Sequence, residues 1–206
     1  MTDAAASRPE ASAPVGLLLA AGAGRRFGGP KALVLLDGER LVDRAVRTLH
    51  EGGCSDVLAV AGAVPLRDVD AQVVTNVDWP SGMGSSLRCG LAAAGRGRWP
   101  AAVVLLVDTP WVGSGAVRRV LDAWAATRPL AAQGGEPLLA LQATYDGVPG
   151  HPVLLAREVW TAVGEAAVDD RGARAWLAAH PGDVRHVPCE GTGDPRDVDL
   201  PDDLNP

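Results

Sequence analysis

Among the residues able to do chemistry in this 206-residue chain, Lys31 stands out as the only lysine against eighteen arginines. Arginine presents a flat fork of donors, whereas lysine presents a compact ammonium on a thin stem that can enter a crowded anion site. Lys31 closes the run Ala21-Gly22-Ala23-Gly24-Arg25-Arg26-Phe27-Gly28-Gly29-Pro30-Lys31, whose four glycines and proline read as a loop. Glycines let backbone N–H groups come close to phosphate oxygens, and Arg25, Arg26 and Lys31 add positive charge. The implied ligand is a phosphate group, the alternative being a βα turn with a purely structural role. The spacing is not that of a Walker loop, and Gly28 falls one position late for the dinucleotide fingerprint.

Carboxylates form the complementary set. Asp108 follows the apolar run Ala101–Val107, and the ten residues from Asp194 hold five aspartates, Asp197 and Asp199 among them. Taken alone, an aspartate at a strand end is more often a turn or cap residue than a ligand. If the acidic segment is β-like, Asp197 and Asp199 face opposite sides, so only one should point into a cleft. Asp202 and Asp203 read as solvated surface. Gly82–Ser86 offers free N–H groups and hydroxyls at a helix start, suited either to a base edge or to plain capping by Ser85 and Ser86.

The elements that must position these groups follow from hydrophobic spacing. Val15–Ala20 and Ala101–Val107 are unbroken apolar runs of the buried-strand kind. Val42, Ala45, Val46 and Leu49 make a helical stripe stopped by Gly52-Gly53. Further strands are expected over Asp56–Gly62, Gln72–Asn76, Leu138–Thr144, His151–Leu155 and Asp183–Pro188, with Val148-Pro149-Gly150 as a turn. Helices are expected over Gly84–Ala94, around Val117, Val120, Leu121 and Trp124, and over Ala173–Ala179. Strands alternating with helices imply a mostly parallel sheet covered on both faces, and ligands bind such sheets beyond the carboxyl ends of the strands. No repeat interrupts residues 15–206, which read as one domain behind an Ala/Ser/Pro-rich tail, residues 1–14, expected to be disordered.

Composition narrows the function. A net charge of -6 and 4% aromatics argue against a nucleic-acid partner, which calls for a basic face or stacking rings. Cys54, Cys89 and Cys189 are odd in number and far apart, fitting neither a disulfide framework nor a zinc site. No apolar run approaches the length that spans a bilayer, and the chain reads as a cytoplasmic protein without a membrane partner.

The loop Leu19-Ala20-Ala21-Gly22-x-Gly24-x-Arg26-Phe27-Gly28-x-Pro30-Lys31 resembles the signature of nucleotidyltransferases with a Rossmann-like fold, and the rest of the chain is similar to the molybdenum cofactor cytidylyltransferase family. The resemblance continues through Asn76-x-x-Trp79-x-x-Gly82-Met83-Gly84-Ser85-Ser86-Leu87-Arg88, Asp108-x-Pro110, Pro149-Gly150-His151-Pro152, Asp170-x-Gly172-Ala173-Arg174 and Asp197-Val198-Asp199-x-Pro201. Departures are Phe27 for the usual Met, Val107 and Asp169 for Gly, and Leu200 for Thr.

The resemblance implies a three-layer α/β/α sandwich with a mostly parallel, mixed sheet of the nucleotide-diphospho-sugar transferase type. It implies transfer of a nucleoside monophosphate, CMP from CTP above all, to a phosphate-bearing acceptor such as molybdopterin, with release of pyrophosphate. Arg26, Lys31 and Asp108 would be catalytic. Leu19, Ala20, Ala21, Gly22, Gly24, Lys31, Asn76, Gly82 and Ser86 would bind the nucleotide, and Asp108 with Asp197 would hold Mg²⁺. A molybdoenzyme or an insertion chaperone would be a partner. Arg174 and Asp170 suit either the acceptor side of the cleft or a salt bridge on a helix, and His151 either a structural or a substrate-lining place. Two alternatives stay open: a guanylyl or other transferase acting on a sugar or polyol phosphate, and a nucleotide-sensing module without turnover.

Overall fold

The computed structural model describes residues 13–132 and 138–204. The tail expected over residues 1–14 therefore lies, but for Ala13 and Pro14, outside the described residues. Seven strands form one sheet in the order β5 (Gln72–Thr75), β4 (Val57–Ala61), β1 (Val15–Leu19), β6 (Ala101–Leu106), β8 (Val148–Ala156), β7 (Ala140–Tyr145) and β9 (Val184–Pro188). The pairs β5–β4, β4–β1, β1–β6 and β7–β9 are parallel, and β8 runs antiparallel to both of its neighbours. A two-stranded hairpin, β2 (Leu35–Leu36) and β3 (Glu39–Arg40), stands apart.

The apolar runs of β1 and β6 are continuous because both faces are covered. Leu18, Val103 and Leu105 point into one core with α1 (Leu41–Gly52) and α3 (Ser114–Ala132). Val15, Leu17, Leu19, Val104 and Leu106 point into a second core with α2 (Met83–Ala94), α4 (Trp160–Ala166) and α5 (Arg174–Ala179). This is the three-layer sandwich with a mixed, mostly parallel sheet. The α1 stripe Val42, Ala45, Val46 and Leu49 is buried as its spacing predicts.

Two local expectations are corrected, and one helix is unexpected. Val148-Pro149-Gly150 is not a turn but the start of β8; the chain reverses at Asp146-Gly147, where both residues have positive φ (50° and 77°), the geometry of a tight two-residue hairpin. Ser85 and Ser86 do not cap α2, which begins two residues earlier, after Gly82. The helix α4 carries no sequence expectation, although Trp160 and Val163 bury one face at an i, i+3 spacing.

What the sheet positions is clear from its order. From β1 the chain passes by α1 to β4 on one side, while from β6 it passes by α3 to β7 on the other, with β8 returning between them. The carboxyl ends of β1 and β6 thus meet where the strand order diverges, the place at which open α/β sheets take ligands. Leu19 lies beside Leu106 in the register, and the Val107 N–H donates to the Leu19 carbonyl at 3.2 Å.

Candidate active site

Beyond that junction opens a cavity of about 790 Å³. Its first wall is the glycine-rich loop. Gly24, at φ 58°, folds the loop so that the N–H groups of Gly28 and Gly29 both donate to its carbonyl, at 2.9 and 3.1 Å. A Cβ at Gly24 would lie 1.9 Å from the Gly29 carbonyl oxygen, so this closure requires glycine. Leu19, Ala21, Gly22, Gly24, Arg25, Arg26 and Lys31 all line the cavity. Ala20, expected there, is buried behind the wall with its N–H donated to Val60. Phe27 is not among the lining residues, whereas Val107 is.

Lys31 reaches the floor with a side chain only 13% exposed. Its ammonium bridges Asp108 Oδ2 at 3.1 Å and Asp199 Oδ1 at 3.2 Å. Arg26, far more exposed, joins the same Asp199 at 3.0 Å. The acidic segment is fastened beside Asp108 by its backbone: the Val198 N–H donates to the Asp108 carbonyl at 2.8 Å. Val198 itself is buried, and both flanking aspartates line the cavity, so the expectation that only one would face it is corrected. Asp199 carries the cations, while the Asp197 side chain has no ion pair or hydrogen bond among the described residues. Asp203, expected as plain surface, accepts from the N–H groups of Leu200 (2.7 Å) and Asp199 (2.8 Å). Those two bonds, that from Leu200 foremost, hold its carboxyl below the ordinary carboxylate range.

The second wall is assembled from distant segments. Trp79, Pro80, Ser81, Gly82, Met83 and Ser86 come from the turn before α2 and its first turn, and Asp169, Asp170 and Arg174 from the turn before α5 and its first residue. Asn76, expected to touch the nucleotide, is instead buried behind this wall and absent from the lining. Its amide donates to Ser85 Oγ (2.8 Å) and Ser86 Oγ (3.1 Å), and its carbonyl oxygen accepts from the Asp78 N–H (3.0 Å). Asn76 therefore holds both serines in place, and it leaves the Ser86 hydroxyl able to donate into the cavity. Asp170 makes no ion pair with Arg174; its Oδ1 accepts from the Met83 N–H at 3.1 Å, supplying α2 with the cap that Ser85 and Ser86 do not. At Gly84 the turn comes so close that a Cβ would lie 2.4 Å from the Ala167 carbonyl oxygen.

His151 is not part of the lining. Its Nδ1 sits 3.3 Å from the Val104 carbonyl, and desolvation pushes the imidazole below its ordinary range. The three cysteines are free thiols, and burial raises Cys54 to about 12, which leaves it inert. Among the described residues no helix is long and apolar enough to cross a membrane.

A hard point charge between converging carboxylates, beside a loop of backbone donors and arginines, can hold a polyphosphate and stabilise charge as part of it departs. Comparison with known proteins agrees. The model of the MobA-like NTP transferase domain matches residues 16–184. A nicotine blue oxidoreductase of Paenarthrobacter nicotinovorans is 37% identical over 89% of this chain and 91% of that protein. A protein of Opitutus terrae named "Probable molybdenum cofactor guanylyltransferase" is 37% identical over 64% of this chain and 67% of its own length. Rv0371c of Mycobacterium tuberculosis superposes with a TM-score of 0.71 at 27% identity, over 94% of this chain and 96% of that one. The same mycobacterial protein in complex with manganese gives 0.67 at 25% identity, over 93% and 96%.

Proposed function

This chain belongs to the MobA-like NTP transferase family, and from that premise we propose that it transfers CMP from CTP to the phosphate of a molybdopterin-type acceptor, releasing pyrophosphate. The observation that carries this reading is the Lys31–Asp108–Asp199 cluster at the mouth of a glycine loop. Loop amides from Gly22 to Gly24 would bind phosphate oxygens, and Arg26 and Lys31 would turn from Asp199 to the α- and β-phosphates as pyrophosphate leaves. Asp108 and Asp197 would hold Mg²⁺, which keeps substrate phosphates and waters as its other ligands and needs only one or two carboxylates. The fit rests on the donor set: Asp108 and Asp197 line one cavity and supply the carboxylate oxygens that Mg²⁺ prefers. Before substrate arrives Asp199 is paired with Lys31 and Arg26, whereas Asp197 makes no ion pair or hydrogen bond among the described residues. The manganese complex of the mycobacterial neighbour supports a divalent ion in this fold. When bound, such an ion supplies charge neutralisation and orientation of the triphosphate.

The base preference rests on one residue from each wall. Ser86 can donate a hydrogen bond, and Ala21, bulkier than a glycine, lines the loop wall. Both favour a pyrimidine close to the backbone, so CTP should be preferred over GTP by at least about tenfold, or ~1.4 kcal/mol. The direct test is competition of labelled CTP by unlabelled GTP, with Mg²⁺ and molybdopterin present, reading pyrophosphate release. Equal competition or a GTP preference removes the cytidylyl assignment and favours a guanylyl transfer like that named for the Opitutus relative. A second reading comes from the Paenarthrobacter relative, an oxidoreductase by name. A dinucleotide's phosphates could use the same loop, so the assay carries a redox arm. Oxidation of a reduced nicotinamide nucleotide with an added dye, without pyrophosphate release, would replace the transfer reading.

A further inference from the structure

Five carboxylates line the cavity (Asp108, Asp169, Asp170, Asp197 and Asp199) with four cations, and the cations divide into two kinds. Lys31 and Arg26 are tied to carboxylates. Arg25 and Arg174 make no ion pair among the described residues. Arg25 belongs to the loop and so to the triphosphate side. Arg174 stands on the opposite wall, as the first residue of α5.

Its backbone is well held. Trp176 and Leu177 of α5 are buried in the second core, and Asp170 ties the preceding turn to the Met83 N–H. The guanidinium is nevertheless exposed to the cavity. Arg174 thus lines the same cavity as the floor carboxylate Asp108.

Resting on the transferase reading, we propose that Arg174 binds the phosphate monoester of the acceptor and aims it at the α-phosphorus. Displacement at phosphorus runs in line, so the attacking and leaving oxygens lie on opposite sides. If the loop wall receives the departing pyrophosphate, the attacker enters from the wall that carries Arg174. In the step an acceptor phosphate oxygen forms a bond to the α-phosphorus, while the bond from that phosphorus to the oxygen bridging the β-phosphate breaks. A phosphate dianion and a nucleotide tetra-anion give a dinucleotide dianion and a pyrophosphate tetra-anion, so no proton moves and no general base is required. The planar guanidinium fork matches two oxygens of such a phosphate, a geometry that a lysine cannot reproduce.

The test separates acceptor binding from donor binding. The full chain is loaded with Mg²⁺ and the α,β-methylene analogue of the nucleotide preferred in the competition above, then titrated calorimetrically with inorganic phosphate. Arg174→Ala should weaken phosphate binding about tenfold or more, Arg174→Lys should fall between, and analogue affinity should stay unchanged in both. Phosphate should also bind well ahead of acetate. Unchanged phosphate affinity in Arg174→Ala, absence of phosphate binding to the wild-type complex, acetate binding equal to phosphate, or a parallel loss of analogue affinity would each overturn the proposal. Failure of the wild-type chain to take up any nucleotide analogue would instead overturn the transferase reading on which it rests.

Discussion

The two walls of the cavity are built by different physics. The loop wall is one continuous stretch, and its shape is decided locally by Gly24 and the two N–H groups that its carbonyl gathers. The opposite wall is a junction between residues 79–86 and 167–174, separated by more than eighty positions and joined by the Asp170 cap and the close approach at Gly84. A locally built wall can be disturbed without loosening the molecule. A wall that is also a packing interface cannot, so damage there should register in stability as well as in binding.

The sharpest test of this contrast is on the loop side. Lys31→Ala should cut turnover by about 10²–10³-fold, the scale for losing one charge partner of a transition state, with the melting temperature little changed. Lys31→Arg should also be impaired, because the fork does not fit a point-charge site. Near-normal transfer by a folded Lys31→Ala protein would remove this assignment. Next in size, Gly84→Ala must force the α2 start away from the Ala167 carbonyl, at a cost on the order of 1–3 kcal/mol in denaturant unfolding. The same change at Gly24 meets a backbone clash and a positive φ, so it should open the loop and weaken nucleotide binding. The loss in denaturant unfolding should be smaller than at Gly84, because the rearrangement can stay within the loop. Equal loss of stability at both glycines would break the distinction between the walls.

The smallest effect expected concerns the acidic segment. Because backbone N–H groups hold the Asp203 carboxyl below its ordinary range, its folded value lies under its unfolded one. Its contribution to stability is therefore fully present above the ordinary carboxylate range and is lost as pH falls through the folded value. The melting-temperature gap between wild type and Asp203→Asn should stay constant from about pH 7 to 5 and close below about pH 4. A gap that persists at low pH would show that the cap is not ionic.

How much of this was legible in the sequence follows the same division. The β1 strand, the glycine loop, Lys31 and Asp108 are all read from contiguous signals: an apolar run, turn residues, one lysine and a strand-end carboxylate. The junction wall is not. Nothing near Asp170 announces that it caps a helix starting at Met83, and nothing near Asn76 distinguishes a ligand contact from a bond to Ser85 and Ser86. Asp203 failed to stand out because in an acidic run the capping residue has the same composition as its neighbours. The Asp146-Gly147 turn was readable from its dipeptide, yet the proline and glycine just after it gave a competing signal. Such readings fail where the partner of a polar group is chosen by tertiary contact.

The segment that brings Asp197 and Asp199 to the cavity grips the rest of the fold through main-chain atoms. Thr192 accepts from Gly113, Asp194 donates to Trp111, and Val198 donates to Asp108. Such bonds are indifferent to side-chain identity. The side chains at positions 197 and 199 take no part in these bonds, which would survive their replacement. Over evolutionary time this separates placement from chemistry: a glutamate, asparagine or histidine can be tried at either position without first having to rebuild its support. The segment works as an interchangeable tool holder, and a change in the charge presented to the cavity is one substitution away from being sampled.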